Sequence, residues 1–311
     1  MSYPRRRNGF CGRILGVTAF DEHPVIFRCE DHWLIGIVAA PPRPHKRGVV
    51  VVVGGPQYRA GSHRQFTLLC RHLAGEGIAS FRFDYHGLGD SEGPPALGVG
   101  GISSDLRCAI DVFLKEAPQV EEVLLWGICG AASAAALYAP SDRRITGIVM
   151  LNPWVRTEQG RATAQLRYYY LDRLRDPLLW HRLLRGKVEM VKSLRDFANS
   201  IFKATGLRTA SPAMPPGSAE DSTDGEPSGS LPDRVLDALS RAKVRVLVIL
   251  SGADLTANEF RQVASSSRRW RQLMASPRVT CREITEANHT FARADWRHQV
   301  SEWTAECVKA A

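Results

Sequence analysis

The sequence predicts an α/β protein built on one mostly parallel sheet of eight strands, with helices on both faces. Three observations support this prediction. Short apolar runs rich in valine and isoleucine recur along the chain, as in strands that are buried on both faces of a parallel sheet. Segments with apolar residues at helical spacing lie between several of these runs, which implies right-handed crossovers. The alternation breaks after residue 151, where an insertion is predicted.

The strands can be assigned in chain order. The first two runs, 25–29 and 33–40, flank the polar pair Glu30-Asp31 and predict an antiparallel hairpin. The six later strands are predicted at 49–53, 78–83, 123–126, 148–151, 244–250 and 279–284. Helices are predicted at 63–75, 101–116 and 131–139. Together these elements indicate a doubly wound sheet.

Composition divides the chain into four parts. Residues 1–19 have a basic front and no long apolar stretch, which predicts a disordered leader rather than an export signal. Residues 20–153 and 234–311 form the predicted core, and the helical, basic and aromatic residues 154–209 form a cap. Residues 210–233 are dense in Pro, Gly, Ser and Asp, so a flexible linker within the insertion is predicted.

The overall composition is that of a soluble globular protein, with 44% hydrophobic and 23% charged residues among 311. The net charge of +9 suits an anionic partner, or else reflects arginines scattered over a solvated surface. No nucleic-acid motif accompanies the charge, so no nucleic-acid partner is expected. No apolar run reaches the ~18 residues of a spanning helix, and a cytoplasmic location is predicted, with peripheral contact to the inner membrane left open. The oligomeric state is not predicted.

The seven cysteines show no C-x-x-C pair and no Cys/His cluster at metal-ligand spacing. They predict mostly buried thiols in a reducing compartment and no metal site. The chain also lacks a glycine-rich P-loop, and GGPQYRAGSHR does not have the spacing of a dinucleotide fingerprint. No cofactor is therefore expected.

The stretch LLWGICGAASAAALY predicts a strand, a tight turn at Cys129 and a helix. Such a turn demands small residues two positions before and two after the central residue, and here these are Gly127 and Ala131. The helix N-terminus that follows would favour a thiolate on Cys129. The alternative is that Cys129 is a small buried side chain that only fills space.

Two later stretches favour the catalytic interpretation. Asp254 follows the seventh predicted strand in VRVLVILSGADLTAN, and His289 follows the eighth in VTCREITEANHTFAR. Taken alone, Asp254 would be a helix N-cap and His289 would be a loop histidine without a partner. The order nucleophile, acid, base at the ends of the fifth, seventh and eighth strands is that of the α/β-hydrolase fold. The sequence therefore predicts this fold and a triad of Cys129, Asp254 and His289.

A triad of this kind needs two backbone N–H donors for the oxyanion. Gly130 supplies one, and the loop after the third strand supplies the other. Pro56 has no N–H, so Gln57 is predicted, with Tyr58 as the alternative. The hydrolase-like interpretation gives structural roles to the charged side chains of FRFDYHGLGDSEG, which are Asp84, His86 and Asp90.

The predicted cap carries aromatic side chains that could line an acyl pocket, with Tyr169 and Trp180 as the candidates. The alternative is that these side chains only pack the cap on the core. The arginines of the cap predict contact with an anionic membrane surface or substrate, or form a solvated helix face.

Four stretches resemble the exosortase A system-associated hydrolases, subfamily one, which are bacterial proteins of the α/β-hydrolase fold. They are GGPQYRAGSHRQF, FRFDYHGLGDSEG, WGICGAASAAALYA and ATAQLRYYYLDRLRDPLLWHRLLRGKV. The resemblance extends from about residue 20 to the C-terminus. It implies a role around exopolysaccharide production or protein sorting at the envelope, and it implies no particular substrate.

The leading hypothesis is a Cys-dependent hydrolase that acts on a small-molecule ester or thioester through an acyl-enzyme intermediate. One alternative is an acyltransferase that uses the same triad, because a thioester stays reactive towards acceptors other than water. Another is a catalytically silent partner protein that keeps the fold for binding.

Overall fold

The computed structural model describes residues 20–54, 57–94, 101–155 and 229–310, and the structural statements below refer to these residues. The chain divides into two compact units, Met1–Val155 with Pro232–Ala311 and Arg156–Leu231. The described residues belong almost wholly to the first unit. The predicted leader, cap and linker lie outside the described residues, apart from a few residues at their ends.

All eight predicted strands are confirmed, and they form one sheet. In chain order they are β1 (Asp21–Cys29), β2 (His32–Ala40), β3 (Arg47–Val52), β4 (Ser80–Asp84), β5 (Glu122–Ile128), β6 (Ile145–Leu151), β7 (Arg245–Ser251) and β8 (Val279–Ile284). Their order in the sheet is β1-β2-β4-β3-β5-β6-β7-β8. The β1–β2 and β2–β4 pairs are antiparallel, and every other pair is parallel. The carboxyl ends of β5, β6, β7 and β8 therefore meet at one edge.

Seven α-helices lie within the described ranges: α1 (Gln65–Gly75), α2 (Ser103–Glu116), α3 (Gly130–Tyr138), α4 (Leu231–Ala242), α5 (Leu255–Ser266), α6 (Arg268–Met274) and α7 (Ala294–Ala310). The first three confirm the helices predicted at 63–75, 101–116 and 131–139, with ends that differ by one or two residues. None of these helices combines the length and the apolar composition that crossing a membrane requires.

The two faces of the sheet are covered by different helices. On one face, alternate residues of β3 and β5 pack with α1 and α7, and Phe66 meets Trp126 edge to face at 5.6 Å. Trp126 is buried, and its indole N–H donates to Thr304 of α7 at 3.3 Å. On the other face, Phe81 of β4 stacks on Phe113 of α2 at 6.0 Å. Each fully buried large apolar side chain of this kind stabilises the fold by about 1.5–3 kcal/mol.

The cysteines depart from the prediction. Cys29 at the end of β1 and Cys108 on α2 form a disulfide, with their Cα atoms 5.7 Å apart. The expectation of free thiols is therefore wrong for this pair, because the fold brings together residues separated by 79 positions. Among the described free thiols Cys70 is buried and Cys281 is exposed, whereas Cys129 and Cys307 are half-buried. Fewer thiols are buried than expected.

Candidate active site

Cys129 occupies a strained turn between β5 and α3. Its φ of 58° and ψ of −126° lie in a region that favours glycine, and such strain in a non-glycine residue is characteristic of functional turns. The surrounding structure holds this conformation through three backbone hydrogen bonds. The N–H of Cys129 donates to Leu151 O at 2.9 Å, and its carbonyl accepts from Ala132 N at 3.1 Å and Trp154 N at 3.2 Å.

Close packing explains the small residues around this turn. A Cβ atom added to Gly127 would lie 2.7 Å from the carbonyl carbon and oxygen of Ala131, and one added to Gly54 would lie 2.8 Å from the Ala131 Cβ. These are backbone and Cβ positions that cannot swing away. A Cβ added to Gly130 would meet nothing within 4 Å. Position 127 thus requires glycine because a Cβ would overlap Ala131, whereas position 130 has room for a Cβ.

Asp254 and His289 lie beside Cys129 at the same edge of the sheet. Asp254 begins α5 as its N-cap and is 8% exposed, and its Oδ2 accepts from Ala257 N at 2.9 Å. Its Oδ1 lies 3.0 Å from His289 Nδ1. Burial alone would raise the pKa of Asp254, but the contact with His289 and the backbone N–H donors outweigh burial and lower it. Asp254 is therefore ionised at neutral pH.

His289 lies close to both other members of the predicted triad. Asp254, followed by the nearby Cys129, raises the pKa of His289 from 6.5 to about 10, against the effect of burial. Nδ1 is buried, and its N–H direction is not well aligned with the carboxylate oxygen. Asp254 and His289 therefore form an ion pair at 3.0 Å whose hydrogen bond is poorly aligned. The structure brings Cys129, His289 and Asp254 together in that order.

Sequence reasoning did not identify Asn152, which follows β6. The side chain is fully buried; its Nδ2 donates to His289 O at 2.9 Å and to Ser251 Oγ at 2.8 Å, and its Oδ1 accepts from Ser251 N at 2.8 Å. Ser251 Oγ in turn donates to Asn288 O at 2.8 Å. These bonds tie the His289 loop to β6 and β7. The signal was present in the sequence as a polar residue directly after a buried strand.

The predicted oxyanion donors lie on two separate elements. Gly130 is the first residue of α3, where a backbone N–H has no partner within the helix. Gln57 lies in the loop after β3, beyond two residues that are not described, and its Nε2 donates to Ser62 Oγ at 3.0 Å. Tyr58 accepts from Gly61 N at 2.8 Å through its carbonyl. The oxyanion role of Gly130 and Gln57 remains a prediction.

The charged residues after β4 hold two loops in place. Asp84 Oδ1 accepts from Arg59 N at 2.6 Å, and its other oxygen contacts the Arg59 guanidinium. That guanidinium also lies 2.6 Å from Asp90. His86 Nδ1 lies 2.5 Å from Asp105 Oδ2, which also accepts from His86 N at 2.9 Å. The Arg59 contacts fix the loop that carries Gln57 against the loop after β4, and the His86 contacts tie the latter loop to α2. The pocket candidates Tyr169 and Trp180 lie outside the described residues.

Comparison with known proteins decides the family. Residues 44–199, half of the chain, match the family described as serine aminopeptidase, S33. The chain belongs to this family of hydrolases. In this member the central residue of the turn after β5 is Cys129. No curated protein matches the chain.

Solved structures share the fold at low sequence identity. An esterase of Pyrococcus furiosus has a TM-score of 0.60 at 15% identity, and the alignment covers 94% of this chain and 91% of that chain. A dienelactone hydrolase of Anabaena variabilis has a TM-score of 0.56 at 14% identity, with 94% and 98% covered. An α/β hydrolase of Penicillium, GrgF, has a TM-score of 0.57 at 15% identity, with 93% and 98% covered. At these identities the similarities show the α/β-hydrolase fold alone.

Proposed function

We propose that the chain is a cysteine-dependent hydrolase that cleaves a small-molecule ester or thioester through an acyl-enzyme intermediate. The observation that carries the proposal is the 3.0 Å contact of His289 with Asp254 beside Cys129, which occupies a strained turn on the carboxyl edge of the sheet. A buried thiol that merely fills space would need neither the strained backbone nor a half-buried histidine held by a carboxylate. The similar folds of an esterase and a dienelactone hydrolase support an acyl substrate.

The first half-reaction follows from the charges of the site. Because the pKa of His289 is raised to about 10, its ring carries a proton at neutral pH, and this imidazolium stabilises a thiolate on Cys129. The thiolate attacks the acyl carbonyl, and the oxyanion is stabilised by the N–H groups proposed at Gly130 and Gln57. When the tetrahedral intermediate collapses, His289 gives its proton to the leaving alkoxide or thiolate. The products are a thioester on Cys129 and a neutral imidazole.

The second half-reaction uses that neutral imidazole. His289 removes a proton from water, the hydroxide attacks the thioester carbonyl, and the acid departs as the Cys129 thiolate forms again beside the imidazolium. Asp254 keeps the ring oriented and stabilises its charge throughout. Nothing in this step requires the acceptor of the acyl group to be water. An experiment must therefore distinguish hydrolysis from transfer of the acyl group to another hydroxyl.

Intact-mass analysis after exposure to a small activated ester, p-nitrophenyl acetate, tests the proposal. We expect one acetyl adduct that forms on the wild type, is lost in Cys129→Ala and forms far more slowly in His289→Ala. Cys281 is an exposed thiol, so Cys281→Ala is the matched control and should label like the wild type. No adduct together with no release of p-nitrophenol, or labelling that is unchanged in His289→Ala, would show that the protein is catalytically silent.

Adding an acceptor then separates hydrolysis from transfer. Decay of the adduct in water alone, with release of acetate, supports the hydrolase. An adduct that persists in water and decays only with a sugar hydroxyl or a thiol present would replace the hydrolase with an acyltransferase. Amide substrates should be tested in the same series, because the matching family is described as serine aminopeptidase. The resemblance to exosortase-associated hydrolases supports placing the substrate around exopolysaccharide production, and glycan-linked acyl esters are the first substrates to try.

A further inference from the structure

A second cluster of reactive side chains lies where α1 packs against α7. His72 is in the last turn of α1, and His298 and Glu302 lie four residues apart on α7, on one helix face. Within the described part of the chain, these are the three His, Cys, Asp or Glu side chains whose ligand atoms all lie within 4.8 Å of one another. No metal-ligand spacing in the sequence indicates this group, because its members come from opposite halves of the chain.

The distances suit a metal ion. His72 Nε2 lies 3.1 Å from Glu302 Oε1, and His298 Nε2 lies 3.8 Å from the same oxygen. A tetrahedral ion with bonds of about 2.0–2.1 Å holds neighbouring ligand atoms about 3.4 Å apart, between these two values. The two imidazole rings meet edge to face with centroids 5.4 Å apart. Small side-chain rotations would therefore complete the ligand geometry.

The His72 ring lies close to Glu302 without a well-aligned hydrogen bond. Its side chain is 19% exposed, and its Nε2 is buried without a hydrogen bond, even though a carboxylate oxygen lies 3.1 Å away. A buried polar atom of this kind normally has a partner. A cation between the imidazole and the carboxylate would accept electron pairs from both. The nearby charge of Lys309 is compensated, because its Nζ lies 2.7 Å from Glu76 Oε2.

We propose that His72, His298 and Glu302 bind a divalent transition-metal ion of the zinc class and that water occupies the fourth position. Two imidazoles and one carboxylate are a donor set typical of Zn²⁺, whereas Mg²⁺ and Ca²⁺ prefer oxygen ligands alone. The ion would join α1, which follows the loop carrying Gln57, to α7, which follows the loop carrying His289. It would bind the folded chain and not the unfolded one, and would therefore raise the melting temperature.

Zinc titration of the full-length, untagged chain at neutral pH tests the proposal, with bound metal measured after equilibrium dialysis and the melting temperature measured in parallel. His298 is 67% exposed, so His298→Ala should fold normally. We expect one bound Zn²⁺ and a rise in melting temperature, with an affinity that falls about ten-fold or more in both His298→Ala and Glu302→Gln. His23 forms a separate ion pair with Asp21, and His23→Ala should bind Zn²⁺ like the wild type.

The active-site thiol and imidazole form a competing zinc site, so Cys129→Ser is titrated as well. Binding that persists in Cys129→Ser and is lost in His298→Ala supports the proposal. Binding lost in Cys129→Ser but kept in His298→Ala would assign the ion to the active site and overturn it. An equal loss in His23→Ala would also overturn it. Zinc that binds through His298 without raising the melting temperature would refute the structural role.

Discussion

Replacing Asn152 tests whether the position of His289 depends on a buried side chain that belongs to neither the triad nor the oxyanion loop. Asn152→Ala would leave the buried N–H of Ser251 without its acceptor and the carbonyl of His289 without a donor. Each buried group left unpaired costs about 1–3 kcal/mol. The backbone φ of 43° adds strain for alanine, since asparagine tolerates this region better. We expect the free energy of unfolding to fall by roughly 3 kcal/mol, from two buried groups with partial relief by water.

The effect on activity separates positioning from mere stability. Loss of the Asn152–His289 bond frees the loop that carries the imidazole, so kcat should fall about ten- to hundred-fold with little change in KM. Ser251→Ala is the comparison variant, because it removes the hydroxyl bonds to Asn152 and Asn288 but leaves the Asn152–His289 bond in place, so its kcat should fall less. Urea unfolding and ester turnover well below the melting temperature measure both quantities. Equal loss of kcat in both variants would refute the positioning role of Asn152.

Three further predictions follow from the turn, from the histidine and from the disulfide. In urea denaturation, Gly127→Ala should lower the free energy of unfolding by about 1–3 kcal/mol. Gly130→Ala should change it by less than about 0.5 kcal/mol. Equal effects of the two substitutions would contradict the packing argument. Because the pKa of His289 rises from 6.5 to about 10 on folding, its contribution to stability is full below pH 6.5 and is lost as the pH rises to 10. Unfolding measured across that range should lose this slope in His289→Gln, and a slope that persists would assign it to other groups. Alkylation of the denatured, unreduced chain should label two thiols fewer than after reduction, and peptide mapping should assign the protected pair to Cys29 and Cys108; an equal count would refute the disulfide.

The sheet and the proximity of the three predicted triad residues could be predicted from the sequence because they depend on local signals. Buried strands correspond to short runs rich in valine and isoleucine. The fold places the carboxyl ends of the fifth, seventh and eighth strands at one edge of the sheet. Cys129, Asp254 and His289 each directly follow such a run or the turn after it. Their order along the chain therefore carries spatial information, and the structure brings all three together.

The remaining features depend on contacts that no local pattern encodes. The Cys29–Cys108 disulfide arises because α2 crosses beside the β1–β2 hairpin, and the sequence shows only two isolated cysteines. His72 and His298 meet for a similar reason, through the packing of α1 on α7. The buried hydrogen bonds of Asn152 could be predicted only in part. Its place after a strand is visible in the sequence, but its partners on two other strand ends are not.

The protonation of His289 predicts that this site works with sulfur and fails with oxygen. A serine hydroxyl needs a neutral imidazole to take its proton, whereas a histidine with a pKa of about 10 is protonated at neutral pH. Asp254 is the largest cause of that shift and remains in the serine variant, so the pKa of His289 should stay raised there, although the part of the shift due to Cys129 is lost. In Cys129→Ser the rate of acylation at neutral pH should fall about 10²–10⁴-fold, the usual contribution of a general base, and should rise again with pH as His289 loses its proton. Stopped-flow acylation of both proteins from pH 6.5 to pH 10 measures this. A serine variant that stays within ten-fold of the wild type at neutral pH would refute this reasoning, because it would show that Asp254 does not keep His289 protonated there.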